Sequence, residues 1–161
     1  MRARRIGARE GALREDRVDE KTKQMAGAHL KRAHDFLNLG QLVLANGYTQ
    51  AAVAQGYFAV HHGVAAALYA QGRRPRSHAE FHSLFSQLLI PTGKFTEEDA
   101  STFEDFLEQR KRSDYSPVEM HDAPYAMRAL EVSGELVLRL ETYVREQMEN
   151  DLPVAPPEEV S

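Results

Sequence analysis

The sequence predicts an all-α fold, an antiparallel up-and-down bundle of about five helices. Apolar residues recur at spacings of three and four along most of the chain, which is the period of a helix that buries one face. No segment shows the two-residue alternation that is typical of a half-buried strand. A chain of 161 residues is long enough to bury one core, and its sequence shows no repeat or second domain.

The first two predicted helices span about residues 22–45 and 49–70. In the first, apolar and small residues repeat at helical spacing until Asn46 and Gly47, which are stop signals. The second is apolar on one face and small on the others, because of its alanines and glycines. A helix of this composition is expected at the centre, where its neighbours approach it closely.

Capping signals predict where the third and fourth helices begin. Ser77 is followed three residues later by Glu80, and Thr96 by Asp99, which is the spacing of a capping box. The stop signals that follow are Pro91 and Gly93 for the third helix and residues 115–117 for the fourth. The last helix is expected at about residues 124–147. The predicted core contains Val53, Tyr57, Leu68, Phe85, Phe103 and Leu140.

The two ends of the chain differ in composition from the bundle between them. Residues 1–21 contain several arginines and few sizeable apolar groups, which predicts a flexible, arginine-rich arm. Residues 149–161 are acidic and rich in proline, which predicts a disordered tail. The bundle itself is therefore expected at residues 22–148.

Composition limits the classes of function. The chain has no cysteine, which excludes disulfides and thiolate chemistry and agrees with a reducing cytoplasm, where we expect the protein. No apolar run approaches the roughly 20 residues that a membrane span needs, and the N-terminal segment lacks the apolar core of a secretory signal. Beyond residue 17 there are 14 basic and 21 acidic residues, so any RNA contact must come from a local patch or from the arm.

Several segments in order along the chain resemble the HEPN (higher eukaryotes and prokaryotes nucleotide-binding) family. Residues 51–62, AAVAQGYFAVHH, contain an aromatic pair followed by alanine and then histidine, as in the second helix of stand-alone prokaryotic members. Residues 73–78 are similar to the family's loop with a basic residue, a proline and a polar-histidine pair. Residues 107–115 match its Leu-x-x-Arg-x-x-x-Asp-Tyr pattern. The resemblance extends over about residues 23–147.

The resemblance implies partners and an activity. HEPN proteins are similar to the substrate-binding helical domain of nucleotidyltransferases, often form homodimers, and are often encoded beside a minimal nucleotidyltransferase as toxin-antitoxin pairs. Active members are metal-independent ribonucleases, so neither a metal nor a cofactor is expected. We therefore expect a homodimer, a minimal nucleotidyltransferase as protein partner, and RNA or a nucleotide as ligand in the dimer cleft.

The resemblance also implies a site that contains Arg110, Asp114, Tyr115 and His62. In active members an arginine stabilises developing phosphate charge, and a histidine that follows after four to six intervening residues acts as acid or base. Here Arg110 has the arginine position, but Tyr115 stands where the shortest form of the motif has histidine, and His121 is too distant. A tyrosine with a pKa near 10 is a poor base at neutral pH, which predicts weak or absent ribonuclease activity.

Each of these residues also has a structural interpretation. Arg110 and Asp114 are spaced i and i+4, as in an ordinary intrahelical ion pair. His62 can equally be a buried, hydrogen-bonded residue, and the neighbouring His61 points about 100° away from it. The aromatic residues Tyr57 and Phe58 are most simply explained as core or dimer-interface side chains.

The loop before the third helix contains a second group of candidates. Arg76 and His78 are expected to help bind a phosphate, since the N-terminus of a helix attracts anions. The alternative is a solvated basic loop. His78 and His82 have the i and i+4 spacing that lets two imidazoles reach one ion, but no third ligand is apparent, so no metal site is expected.

Two hypotheses of function follow. The first is a HEPN-type protein of a toxin-antitoxin or nucleotidyltransferase-associated system that binds RNA or a nucleotide, with ribonuclease activity in doubt. The second is a non-catalytic helical module that recognises another protein. A metal-dependent hydrolase is disfavoured, because no set of Asp, Glu and His has ligand spacing on one face.

Overall fold

The computed structural model describes residues 19–118 and 121–150 as an all-helical bundle, and it confirms the predicted fold class. The five helices are α1 (Glu20–Ala45), α2 (Thr49–Ala70), α3 (His78–Leu84), α4 (Glu97–Tyr115) and α5 (Ala123–Asn150). Most of the predicted arm, residues 1–18, and residues 151–161 of the predicted tail lie outside the described residues. Over the ranges that are described, none of the helices combines the length and apolar character that crossing a bilayer requires.

The second helix lies at the centre, with α1 and α5 packed closely against it and α4 beside it. Its bounds agree with the predicted 49–70, and most of its side chains are buried. All six residues of the predicted core are at most 2% exposed. The apolar side of α5 is buried as well, and its members are Ala126, Leu130, Val137, Leu140 and Val144.

Glycines allow α1 and α5 to approach α2 closely. A Cβ atom on Gly56 would lie 2.8 Å from the Oγ of Ser133, and one on Gly63 would lie 3.0 Å from a methyl group of Leu140. On α1, a Cβ atom on Gly40 would lie 3.3 Å from the Cβ atom of Gln55 on α2 and 2.6 Å from a methyl group of Leu130 on α5. These distances are below ordinary carbon contact distances, so the helices cross where a side chain is missing.

Local capping explains where the helices begin. The side chain of Asp19 accepts a hydrogen bond from the N–H of Thr22 at 2.7 Å, so α1 begins at Glu20, two residues before the predicted start. Thr96 and Asp99 form the complete capping box that the sequence predicts. At α3 only half of a box forms, because the carboxylate of Glu80 accepts from the N–H of Arg76 instead of the N–H of Ser77.

The third helix has regular α geometry only over its first seven residues. It continues as a wider π turn at Phe85–Leu89 and a tighter 3₁₀ turn at Ile90–Thr92. Pro91 has no N–H to continue the α-helical hydrogen bonds, so the backbone adopts a 3₁₀ turn there. Gly93, in a left-handed conformation, then ends the helix. The wide turn keeps both Phe85 and Leu89 in the core.

Within the described residues, an ion pair and a hydrogen bond of side chains connect α5 to other helices. The guanidinium of Arg139 donates to both carboxylate oxygens of Asp99, at 2.6 and 2.8 Å, and so ties α5 to the capping box of α4. Burial raises the pKa of Asp99, but the hydrogen bonds from Arg139 and from the N–H of Thr96 outweigh it and hold the pKa below its ordinary value. Glu141 of α5 lies 2.7 Å from the Nε2 of His34 on α1.

Replacing Gly56 with alanine tests the close crossing of α2 and α5. The neighbouring hydroxyl of Ser133 is fully buried and donates to the carbonyl of Ala129 at 2.7 Å, so it cannot move away freely. Gly56→Ala should therefore destabilise the fold by about 1 kcal/mol, since overpacking outweighs the better helix propensity of alanine. The matched control is Gly27→Ala on α1, where nothing lies within 4 Å of the new Cβ atom. This control should stabilise the fold by up to about 1 kcal/mol.

Urea denaturation of both variants gives the comparison. If Gly56→Ala stabilises the protein as much as Gly27→Ala does, α2 and α5 are not tightly packed at Gly56.

Candidate functional site

Four helices bring basic and aromatic side chains together on one side of the bundle. Helix α2 is the shared element, and α1, α3 and α4 each place residues against it. We call this surface the histidine–aromatic face. Its members are His29, Arg32, Phe36, Tyr57, Phe58, His61, His62, His78 and Arg110.

Arg110 lies at the α4 side of this face, on two rings of α2. Its guanidinium carbon is 4.4 Å from the ring centre of Phe58 and 5.4 Å from that of Tyr57. The Nε atom of Arg110 is 3.7 Å from a carboxylate oxygen of Asp114, so the predicted i, i+4 ion pair is present. The side chain remains 28% exposed, which leaves part of the guanidinium accessible to a ligand.

His62 lies at the α1 side of the face. Its ring stacks on Phe36 with centres 5.3 Å apart, and its Nδ1 is 2.9 Å from the Nδ1 of His29. Burial, the neighbouring His29 and Arg32 lower the pKa of His62 to about 4. Near neutral pH His62 is therefore an uncharged imidazole in a basic environment.

His61 lies between the two sides and is also uncharged near neutral pH. Burial is the main cause that lowers the pKa of His61 to about 4, and electrostatic interactions with basic neighbours, including Arg110, add to it. Its ring packs 4.3 Å from that of Phe81. Its Nδ1 atom is buried without a hydrogen-bond partner among the described residues. A buried polar atom without a partner costs stability, which is typical of sites that are shaped for a ligand.

His78 joins the face from the start of α3. Its Nδ1 lies 3.1 Å from the hydroxyl of Tyr57, and its ring centre is 5.5 Å from that of His61. Burial raises the pKa of Tyr57 despite the nearby charge of Arg110, so the phenol stays neutral. The structure thus brings three of the sequence-predicted site residues, Arg110, His62 and His78, onto one surface.

The remaining predicted residues are placed differently. The side chain of Tyr115, the last residue of α4, is 89% exposed, and Arg76 is exposed in the loop before α3. His121 stacks on Tyr125 and its carbonyl accepts from Thr49 at the start of α2. Helix rise is about 1.5 Å per residue, so Thr49, which His121 contacts, lies about 12 Å along α2 from Tyr57.

His82 does not join His78 at a common ion. Its ring stacks on Phe103 at 4.6 Å, whereas His78 faces Tyr57. Within residues 19–118 and 121–150, no group of three or more His, Asp or Glu side chains is placed to hold a metal ion. The chemistry that the histidine–aromatic face offers is therefore that of guanidinium, imidazole and aromatic rings.

Three members of the face were not singled out from the sequence. His29, Arg32 and Phe36 on α1 are spaced by three and four residues, which puts them on one side of a helix. That spacing was available in the sequence, but it gives no information on which helix the three side chains meet. Arg32 stacks over Phe36 at 4.9 Å, and Phe36 stacks on Phe58 at 5.1 Å.

Comparison with protein families agrees with the fold and with the predicted resemblance. The model of the HEPN domain matches residues 26–143, which is more than two thirds of the chain. The chain therefore belongs to the HEPN domain family, and the resemblance predicted from the motifs is confirmed. The match includes all the members of the histidine–aromatic face. No curated protein matches the chain.

The low pKa values of His61 and His62 predict that the fold is less stable in mild acid. The ordinary pKa is 6.5, so unfolded histidines bind protons at a pH where the folded ones do not. The free energy of unfolding should therefore fall as the pH is lowered from about 7 to about 5. His61→Phe removes one such group and should reduce this loss.

Urea denaturation of the wild type and of His61→Phe at the two pH values measures the difference. An equal loss of stability in both proteins would mean that His61 titrates normally in the folded state.

Proposed function

We propose that this protein is a HEPN-type protein that binds RNA or a nucleotide at the histidine–aromatic face. The observation that carries the proposal is the position of Arg110, held over Phe58 and Tyr57, near enough to His61 to lower its pKa, and still partly exposed. We also propose that it acts in the cytoplasm as a homodimer, in a toxin-antitoxin or nucleotidyltransferase-associated system. Its protein partner there would be a minimal nucleotidyltransferase.

The chemistry of the face favours an anionic ligand with aromatic groups. Arg32 and Arg110 are permanently charged, and guanidinium groups bind phosphate through directed hydrogen bonds. Aromatic rings beside such cations are typical of surfaces that bind single-stranded nucleic acid, because bases stack on them. Membership of the HEPN family supports the same class of ligand, since its members are often nucleases or RNA-binding proteins.

Charge outside the face limits how RNA can approach. The chain beyond residue 17 is net acidic, so a long duplex would be repelled over most of the surface. A nucleotide or a short single-stranded segment needs only the local basic region. The proposed ligand is therefore small or single-stranded.

The geometry supports binding better than catalysis. Tyr115 points away from the bundle at the end of α4, and the histidines nearest Arg110 include His61, whose pKa is about 4. A base of such low pKa removes a proton from a hydroxyl slowly, because catalysis is most efficient when the pKa lies near the working pH. We therefore propose weak or absent ribonuclease activity for the protein alone.

A second candidate function is a non-catalytic module that binds another protein. Two large apolar side chains of α5, Met127 and Leu138, are 60% and 58% exposed. A shallow groove between α4 and α5 has an apolar lining that includes Phe106, Tyr125 and Val132. Exposed apolar surface of this kind is typical of protein interfaces, and none of the residues that line the groove belongs to the histidine–aromatic face.

Substitution of Arg110 separates a binding role from a structural one. Arg110→Ala removes one charge-assisted phosphate contact, so the affinity for a short single-stranded RNA should fall by about tenfold or more. The loss of its ring contacts should cost about 1 kcal/mol of stability, since cation–π contacts at exposed sites are weak. Fluorescence anisotropy with labelled oligouridylate and thermal melts measure the two effects.

Arg112→Ala is the matched control on the same helix. Arg112 is exposed and pairs with Glu108, away from the aromatic rings, so its removal should leave RNA affinity nearly unchanged. Equal weakening by both substitutions would indicate general charge attraction and would count against a site at Arg110. Absence of binding to RNA and to nucleotides would favour the second candidate function.

An RNA-cleavage assay in the presence of a chelator tests the activity of the isolated protein. We expect weak or absent cleavage, because a histidine is missing at position 115. Robust cleavage that survives Arg110→Ala would refute both the role of Arg110 and the argument from the missing histidine. Cleavage that Arg110→Ala abolishes would keep the site and indicate that a histidine brought in by the fold acts as acid and base.

A further inference from the structure

The contact between His29 and His62 is a hydrogen bond between two titratable rings on different helices. Their Nδ1 atoms lie 2.9 Å apart, so one ring donates and the other accepts. Each ring is fixed by stacking, His29 on Tyr69 at 5.2 Å and His62 on Phe36 at 5.3 Å. Both histidines are partly exposed at the surface.

The arrangement of this pair limits how many protons it can take. The donor ring can bind a proton on its Nε2 atom and still donate from Nδ1 to its partner. A second proton would place N–H groups on both Nδ1 atoms and break the hydrogen bond. The pair therefore accepts one proton without structural change, and in that state it is a monocation.

The groups around the pair oppose that proton as long as no anion is bound. Arg32 on α1 acts on His62 through its charge, and the ring centre of His61 on α2 lies 5.5 Å from that of His62. His78 on α3 and Arg110 on α4 lie farther along the face, where they act on His61. Over the described part of the chain, no carboxylate bonds to either ring. Asp114, outside the face, pairs with Arg110, and Glu141 contacts His34 and Arg145. The missing counter-charge is what a bound anion would supply.

We propose that the His29–His62 pair is a phosphate subsite that binds an RNA phosphodiester together with one proton. This inference rests on the proposed function, and it adds His29 and Arg32 to the site residues that the sequence predicts. Arg32, whose guanidinium lies over Phe36 beside His62, supplies the permanent charge of the subsite. The protonated pair supplies the second charge and an N–H donor.

The sign of the proton coupling follows from linkage. Burial lowers the pKa of free His29, and burial, His29 and Arg32 lower the pKa of free His62 to about 4. A bound phosphodiester stabilises the charged imidazole and raises its pKa. Binding therefore takes up a proton, and the affinity rises as the pH falls between the free and the bound pKa.

Calorimetric titration with a short single-stranded oligouridylate that lacks terminal phosphates tests this subsite. None of the groups of this probe titrates near neutral pH, so any proton that is taken up enters the protein. Titrations in two buffers of different ionisation enthalpy give the number of protons per complex, which should be positive and at most about one. From about pH 7.5 to about pH 5.5 the Kd should fall, by up to about tenfold per pH unit.

Substitutions assign the proton to this pair. His62→Phe keeps a ring that can stack on Phe36 but removes the proton acceptor, so proton uptake should be lost and the Kd should depend less on pH. His29→Phe should have the same effect and serves as the second variant if His62→Phe does not fold. His34→Gln is the control on α1, since glutamine can still bond to Glu141, and it should bind with normal proton uptake.

A measurement on the wild type does not depend on the folding of any variant. Nuclear magnetic resonance titration of the imidazole signals should show a higher pKa for His29 or His62 with the oligouridylate bound than without it. Binding without proton uptake, with unchanged pKa values, would overturn the subsite but leave the proposed RNA-binding function intact. No binding at any pH would overturn both.

Discussion

The arrangement of the bundle depends on the close packing of α1 and α5 against α2. This packing is possible because Gly56 and Gly63 on α2, and Gly40 on α1, present no side chain at the crossings. A helix whose other residues are largely alanine and valine then buries nearly all of its surface. The polar side chains Tyr57, His61 and His62 in its middle part lie where α1, α3 and α4 contact them.

This geometry concentrates basic groups that would repel one another if all were charged. The protein avoids that repulsion by keeping His61 and His62 neutral, each with a pKa of about 4, while Arg110 is stabilised by the faces of two rings. Aromatic faces attract cations without neutralising them. The site therefore keeps a positive potential toward an incoming anion. The neutral histidines add further positive charge only when they bind a proton.

The same features explain why binding and catalysis separate in this chain. A ribonuclease of this family needs a group whose pKa lies near neutral pH at the reacting hydroxyl. Here the exposed Tyr115 stands at the motif position, and the low pKa of His61 reflects burial among rings and basic neighbours. An environment that lowers the pKa of a histidine suits anion recognition, because a bound anion raises that pKa again. The same low pKa makes the histidine a weaker base.

The sequence by itself determined the elements whose signals are local. The bounds of α2, the capping box of Thr96 and Asp99 and the buried side of each helix follow from contacts between residues three or four positions apart. The motif around Arg110 likewise lies within one helix. Only the tertiary structure decided that His29 meets His62 across 33 residues, that α3 widens into a π turn, and that Tyr115 faces outward. These features depend on how far each helix is rotated and where it crosses its neighbours, and side chains distant in sequence set both quantities together.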